Sequence, residues 1–230
     1  MKTLGLIGGI SWLSTMDYYR MINEQVNARL GGVHSARLIL YSVDFDEFQP
    51  PTDMNLWKPL SEKFVNIAMK LEQAGAEGLI LCANTPHLIA DNIREKINIP
   101  IIHIADATAK NIAEAKLDKV ALLGTRITME QDFYTKKLAA RNIEAIVPDK
   151  DDRQFIHDSI LKEMCRNIFT PEMKHRYLEI IGGLVQEGAE GVIFGCTEIP
   201  MLIKKEECPV PSFDTTMLHV KAAVDFIVNE

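Results

Sequence analysis

The chain has 230 residues, 47% apolar and 25% charged, enough to bury a sizeable core and to build two domains of ordinary size. Its 25 basic residues against 32 acidic ones leave a net charge of −7, which argues against the clustered positive surface needed for sequence-independent nucleic-acid binding. No apolar run reaches the ~18 residues of a membrane span, and Cys82, Cys165, Cys196 and Cys208 lack C-x-x-C spacing and disulfide-scaffold density, which points to a reducing, cytoplasmic setting.

MKTLGLIGGI is apolar with one lysine, and STMDYYRMINEQ follows at once, so it reads as a first buried strand rather than a signal peptide. Beyond it, short apolar runs alternate with longer amphipathic ones, the pattern of β-α units around a parallel sheet. Strands are expected near residues 3–8, 36–43, 78–83 and 100–104, then near 119–124, 143–147, 190–195 and 209–213. QPPTD (Gln49 to Asp53) reads as a long surface loop, and a helix from Asn55 to Ala74 is expected to close at Gly75. Thr128 with Gln131 three residues on has the form of a capping box. Thr170 before Pro171 opens a further helix, which stops at Gly188.

The second half repeats the first. TLGLIGG from Thr3 matches KVALLGT from Lys119, QAGAEGLILCANTPHLI from Gln73 matches QEGAEGVIFGCTEIPML from Gln186, and IPIIHI from Ile99 matches CPVPSF from Cys208. The period is far longer than the 20 to 50 residues of stacked repeats, so each copy is expected to be a lobe with its own core. The expected fold is α/β: two pseudo-symmetric lobes, residues 1–98 and 99–213, each a mainly parallel four-stranded sheet flanked by helices, followed by a C-terminal helix at about 214–230.

In open parallel sheets, ligands bind beyond the carboxyl ends of the strands. Ala83, Asn84 and Thr85 sit at one such end, and Cys196, Thr197 and Glu198 at the other. Were a pseudo-twofold axis to relate the lobes, these ends would face each other across a cleft, which is the expected active site. Cys196 reads either as a small apolar residue closing a strand or as a base whose thiol is acidified by a following helix start. Its repeat partner is Ala83, so only one copy carries the thiol. By strand alternation Cys82 points away from residue 83 and reads as core. Cys165 falls on a helix that can bring it near the cleft, and Cys208 is peripheral.

GLIGG (Gly5 to Gly9) lacks G-x-G-x-x-G spacing and no P-loop occurs, so its glycines read as a tight strand-to-helix turn. The amides of Gly8 to Ser11 at a helix start nevertheless suit a carboxylate, and the equivalent turn, Gly124 to Thr128, adds two threonine hydroxyls. The six histidines show no metal-ligand spacing and no G-x-S-x-G elbow occurs, so metal and serine-hydrolase chemistry are not expected. His87 stands out because it follows the Ala83 strand end directly.

GLIGGISWLST with YYRMIN, CANTPH, LLGTRITMEQDFY and above all IFGCTEI together make the chain resemble the aspartate/glutamate racemase family, over nearly its whole length. The resemblance implies two α/β lobes with the C-terminal helix returning to the first, a homodimer, and proton removal by one cysteine with proton return to the opposite face from another. It implies no pyridoxal phosphate, metal or other cofactor, and a small, acidic amino acid as substrate. Residue by residue, the second family cysteine falls on Cys196 and the first on Ala83, which has no proton to exchange. On this reading Cys196 is the acid or base on one face. Asn84, Thr85 and Thr197 bind the carboxylate and ammonium, Gly8, Gly9 and Ser11 offer amides and a hydroxyl, and Thr125 and Thr128 close the other side. A bound water, Cys82 shifted inward or His87 reaching over would each compensate for Ala83. Two rivals stand beside this reading: a one-cysteine decarboxylase or isomerase similar to the arylmalonate decarboxylases, and an amino-acid-binding protein without turnover.

Overall fold

The run TLGLIG forms β1 (Thr3–Gly8), buried at all but its first position. That continuous burial marks the central strand of a parallel sheet covered on both faces. In the computed structural model, which describes residues 1–51 and 56–229, β1 pairs with β2 (Arg37–Ser42) on one side and β3 (Gly78–Leu81) on the other, in the order β2-β1-β3. Contacts divide the chain into two units, Met1–His103 with His219–Glu230, and Ile104–Leu218. The sequence expectation places the breaks a few residues earlier, after 98 and 213.

Within the first unit, α1 (Trp12–Leu30) buries Tyr18, Ile22 and Val26, one residue per turn, against Leu4, Leu6, Ile80 and Cys82. Each large apolar side chain so buried stabilises the unit by about 2 kcal/mol. The same cluster takes in Val220, Ala223, Val224 and Ile227 from α10 (Thr215–Val228). On the other side of the chain order, α2 (Trp57–Gln73) buries Leu60, Phe64, Ile67 and Leu71. Thr52, Asp53 and Asn55, where the sequence places the end of the surface loop and the start of that helix, lie outside the described residues. A short α3 (Ala90–Arg94) completes the unit.

The expected fourth strand, residues 100–104, is a correction: it is reduced to a single bridge between Leu79 and Ile101. Leu79 donates to Pro100 O and Ile102 donates to Leu79 O, both at 2.9 Å. Pro100 brings no N–H to extend the ladder, and Ile104 already opens α4 (Ile104–Glu114).

In the second unit, β4 (Lys119–Gly124) is central to a four-stranded parallel sheet ordered β5-β4-β6-β7, with β5 (Glu144–Ile146), β6 (Gly191–Gly195) and β7 (Ser212–Asp214). The first three strands follow the order of the first sheet, as the repeat requires. Between them run α5 (Arg126–Glu130), α6 (Asp132–Ala139), α7 (Lys150–Lys162), α8 (Pro171–Gln186) and α9 (Ile199–Leu202). Tyr177, Ile181 and Leu184 of α8 and Ile156 and Ile160 of α7 pack on Ala121, Leu123, Val192 and Phe194.

Thr170 caps α8 by accepting from the Met173 amide at 3.1 Å, with proline at the first helical position. The repeated helices α2 and α8 end alike. Gly75 at φ 98° and Gly188 at φ 99° take the left-handed conformation that glycine adopts freely, and their amides donate to Glu72 O and Val185 O.

The capping box expected at Thr128 is not formed. The N-cap of α5 is Thr125, and Gln131 instead precedes α6. Thr128 lies inside α5, its side chain over Gly124 and Gly195, the paired ends of β4 and β6, where added methyl groups would sit 3.1 Å and 3.0 Å from it. Packing against that glycine pair leaves it no capping role.

Candidate functional site

β6 delivers its residues to the end of the second sheet on a fully buried strand, GVIFG. Gly195 is there because a β-carbon would lie 2.7 Å from Leu123 O. The chain then turns through Cys196, Thr197 and Glu198 before α9. Cys196 is half-buried, and its thiol donates to Glu198 Oε2 at 2.9 Å. Thr197 Oγ1 donates to the same oxygen at 2.7 Å. On the other carboxylate oxygen sits a second thiol, Cys165 Sγ at 3.8 Å from Oε1, carried on a 3-10 turn (Met164–Arg166) just after α7. Glu198 itself is 7% exposed, and no ion pair among the described residues includes it. Hydroxyl and thiol donors, rather than a cation, satisfy this carboxylate.

The electrostatics reverse the sequence expectation of an acidified thiol. Burial, and next to it the Glu198 carboxylate, push the Cys196 thiol well above its ordinary value. Cys165 is pushed up to about 12 by burial and then by the same carboxylate. The helix beyond Cys196 has only four residues and begins after Glu198, so the negative charge adjacent to the sulfur outweighs any helix-start effect.

Thr125 is partly exposed and 3.2 Å from Thr128 across their hydroxyl oxygens. Thr128 is 0% exposed and packs on the paired ends of β4 and β6. Thr197 also changes character. Its proton is committed to Glu198, which leaves its oxygen as an acceptor suited to an ammonium rather than a carboxylate.

At the end of the first sheet, β3 closes with Leu81, and Cys82 is buried in the cluster of Leu4, Leu6, Tyr18 and Ile22, its thiol pushed far up by burial alone. Cys82 is therefore core. Ala83 is partly exposed, while Asn84 and Thr85 are buried at the start of a 3-10 turn (Thr85–Ile89). His87 lies in that turn and is 2% exposed. Its Nδ1 is 2.9 Å from Ala83 O and 3.3 Å from Asn84 O, so the proton is on Nδ1 and the lone pair on Nε2. Nε2 is buried without a hydrogen-bond partner, and the ring stacks edge-on with His103 and His219, centroids 4.6 Å and 5.3 Å away. An imidazole so enclosed does not reach over Ala83.

The Gly8 to Ser11 turn uses part of its polar groups internally. The Gly9 amide donates to Thr15 Oγ1 at 2.8 Å and is not available to a ligand. Gly9 is at φ 95°, and a β-carbon on it would collide with Val43 O, while one on Gly8 would collide with Thr15. These glycines serve close packing of α1 and the end of β2 onto β1. The Ser11 hydroxyl remains, buried and without a partner.

The structure thus gathers Cys196, Thr197 and Glu198 around one carboxylate and adds Cys165. Sequence reasoning placed Glu198 in the turn without a role and left Cys165 open. The signal for Glu198 was its position two residues beyond the thiol in the repeated loop, where the first copy has Thr85. Among the described residues, no group of three or more His, Cys, Asp or Glu could hold a metal ion.

The model for the Asp/Glu/Hydantoin racemase family matches residues 7–223. The broad specificity amino-acid racemase RacX of Bacillus subtilis is 22% identical over 96% of each chain. Among solved structures, an Asp/Glu racemase candidate from Yersinia pestis superposes with a TM-score of 0.93 at 46% identity over 100% of both chains. An aspartate racemase homologue from Pyrococcus horikoshii gives a TM-score of 0.85 at 34% identity over 99% of both. With a family match spanning both sheets and the Cys196 turn, this chain belongs to the Asp/Glu/Hydantoin racemase family.

Proposed function

We propose that this protein moves a proton at the α-carbon of a small amino acid, aspartate, glutamate or a close relative, with Cys196 as the acid–base group on one face and no protein base at Ala83. The observation that carries the reading is a half-buried thiol at a strand end, hydrogen-bonded to a carboxylate. In the forward step the Cys196 thiolate takes the Cα proton, the C–H electron pair remains on carbon, and the new S–H can return its proton. No base is proposed for the other face, since among the described residues Ala83 presents a methyl group, Cys82 is core and His87 is enclosed. Water is the remaining proton source on that face. Asn84, Thr85, Ser11 and Thr125 are proposed to bind carboxylate oxygens, and Thr197 Oγ1 to accept from the ammonium. Gly8 and Gly9 act by shaping the turn. A homodimer in the cytoplasm, working without a cofactor, completes the proposal.

Solvent deuterium uptake at Cα, followed separately for each enantiomer of aspartate and glutamate, tests it. Uptake into at least one enantiomer is expected, and none into any at high protein concentration would overturn the reading.

The apolar Ala83 and the proton-donating geometry of Cys196 favour a second reading, a decarboxylase in which the thiol protonates the carbanion left by carbon dioxide. Carbon dioxide release from disubstituted malonates, lost in Cys196→Ser, would select it.

A further inference from the structure

We propose that Glu198 is the positioning residue that keeps Cys196 in its protonated, proton-delivering form, with Thr197 and Cys165 holding the carboxylate in place. The inference rests on Cys196 being the acid–base group, and adds what sets its resting state.

Three donors converge on one buried carboxylate: Cys196 Sγ at 2.9 Å and Thr197 Oγ1 at 2.7 Å on Oε2, and Cys165 Sγ at 3.8 Å on Oε1. An ionised carboxylate accepts and cannot donate, so each partner must bring its own proton. A thiolate at Cys196 would place a second negative charge within 3 Å of the first, in surroundings poor in water and without a cation in the ion pairs described. Like charges that close cannot both persist at neutral pH. The groups brought by neighbouring elements do not relieve this. Cys165 comes from the turn after α7 and is itself held protonated, and Tyr177 of α8 is buried, its hydroxyl bonded to Ser159 at 2.9 Å and kept neutral by burial.

The consequence is directional. When the S–H proton passes to a carbanion at Cα, the S–H bond breaks, a C–H bond forms and the electron pair stays on sulfur. The resulting thiolate faces Glu198 and takes a proton back from solvent, restoring the donor. Abstraction, the reverse step, waits for solvent base to remove the thiol proton. The site therefore rests loaded for delivery, and the rate of proton abstraction at Cα rises with pH.

Alkylation of Cys196 by iodoacetamide, resolved from Cys82, Cys165 and Cys208 by mass spectrometry and followed from about pH 6 to pH 10, tests this without any substrate. In the native protein the midpoint is expected above that of an ordinary thiol. Fast alkylation at neutral pH would overturn the inference with no variant needed. In Glu198→Gln the midpoint should fall by at least about one pH unit, giving roughly ten-fold faster alkylation at pH 8. Glu198→Asp, which keeps the charge, should restore the native midpoint.

A structural role alone would change the alkaline plateau through access and leave the midpoint in place, and that outcome would also overturn the inference. If the native protein exchanges Cα hydrogen while the Gln midpoint is unmoved, this inference fails and the proposed function stands. If the midpoint shifts while no amino acid exchanges, the proposed function fails and Glu198 still controls the thiol.

Discussion

At the end of β3 the chain runs Cys82-Ala83-Asn84-Thr85, and at the end of β6 it runs Gly195-Cys196-Thr197-Glu198. Both leave a buried strand and enter a short turn, so one backbone solution serves twice. The side chains divide the chemistry. The second end gathers a thiol, a hydroxyl and a second thiol onto a buried carboxylate. At the first end Nδ1 of His87 ties back to Ala83 O, and its ring packs edge-on against His103 and His219. Duplication thus fixes where a reactive group can stand without dictating that one stands there. Glu198 occupies the position of Thr85, and its carboxylate acts with burial to push the neighbouring thiol up.

The largest expected effect breaks the comparison at its reactive end. Cys196→Ser should lower Cα deuterium uptake by about 10²- to 10⁴-fold, the usual contribution of a positioned acid–base group, measured by NMR at fixed protein concentration. Unchanged uptake would return the site to another residue.

The next effect separates the two ends by pH. Burial pulls His219 down to about 4 and His87 well below its ordinary value, the latter also through the neighbouring His103 and His219. Folded-state values below the unfolded ~6.5 mean that the unfolded chain binds the extra protons, so stability is present at neutral pH and lost as pH falls from ~6.5 through about 4. For His219 alone the loss amounts to about 3 kcal/mol. Tyr18 donates to Nδ1 of His219 and Nε2 donates to Ile102 O, which fixes the neutral form. Urea midpoints at pH 7 and at pH 4 would show the fall, and equal midpoints would contradict it.

Restoring symmetry is a smaller step. Ala83→Cys places a thiol on a partly exposed turn, and interconversion of enantiomers should rise by about ten-fold, read by chiral chromatography. A rise in exchange without a rise in interconversion would show that the new thiol does not serve the opposite face.

The smallest change sharpens the contrast between the repeated helices. α8 has a side-chain cap in Thr170, whereas residue Leu56 before α2 makes no such bond. Thr170→Ala should therefore cost about 1 kcal/mol of stability, measured by thermal denaturation. A neutral outcome would mean that packing of Tyr177 and Ile181 alone holds that helix in place.

Much of this architecture is legible in the chain because it depends on near neighbours. The buried runs TLGLIG and KVALLG, proline after Thr170, and the glycines closing α2 and α8 are local signals, and each forms the element it announces. IPIIHI misleads for an equally local reason, since Pro100 lacks an N–H and Ile104 opens a helix. The Thr128 capping pattern misleads for a distant one. Its side chain is taken by a glycine pair whose second member lies on β6.

The one-sided placement of the cysteine, Cys196 against Ala83, and the family to which the chain belongs were settled by the order of residues alone, because a duplicated segment exposes its own substitutions. The state of that cysteine was not. It depends on the direction in which Glu198 folds back, on a thiol brought from the turn after α7, and on how far water is excluded from all three. Charge interactions follow distance in space and the polarity between the groups, and only the packed chain fixes those.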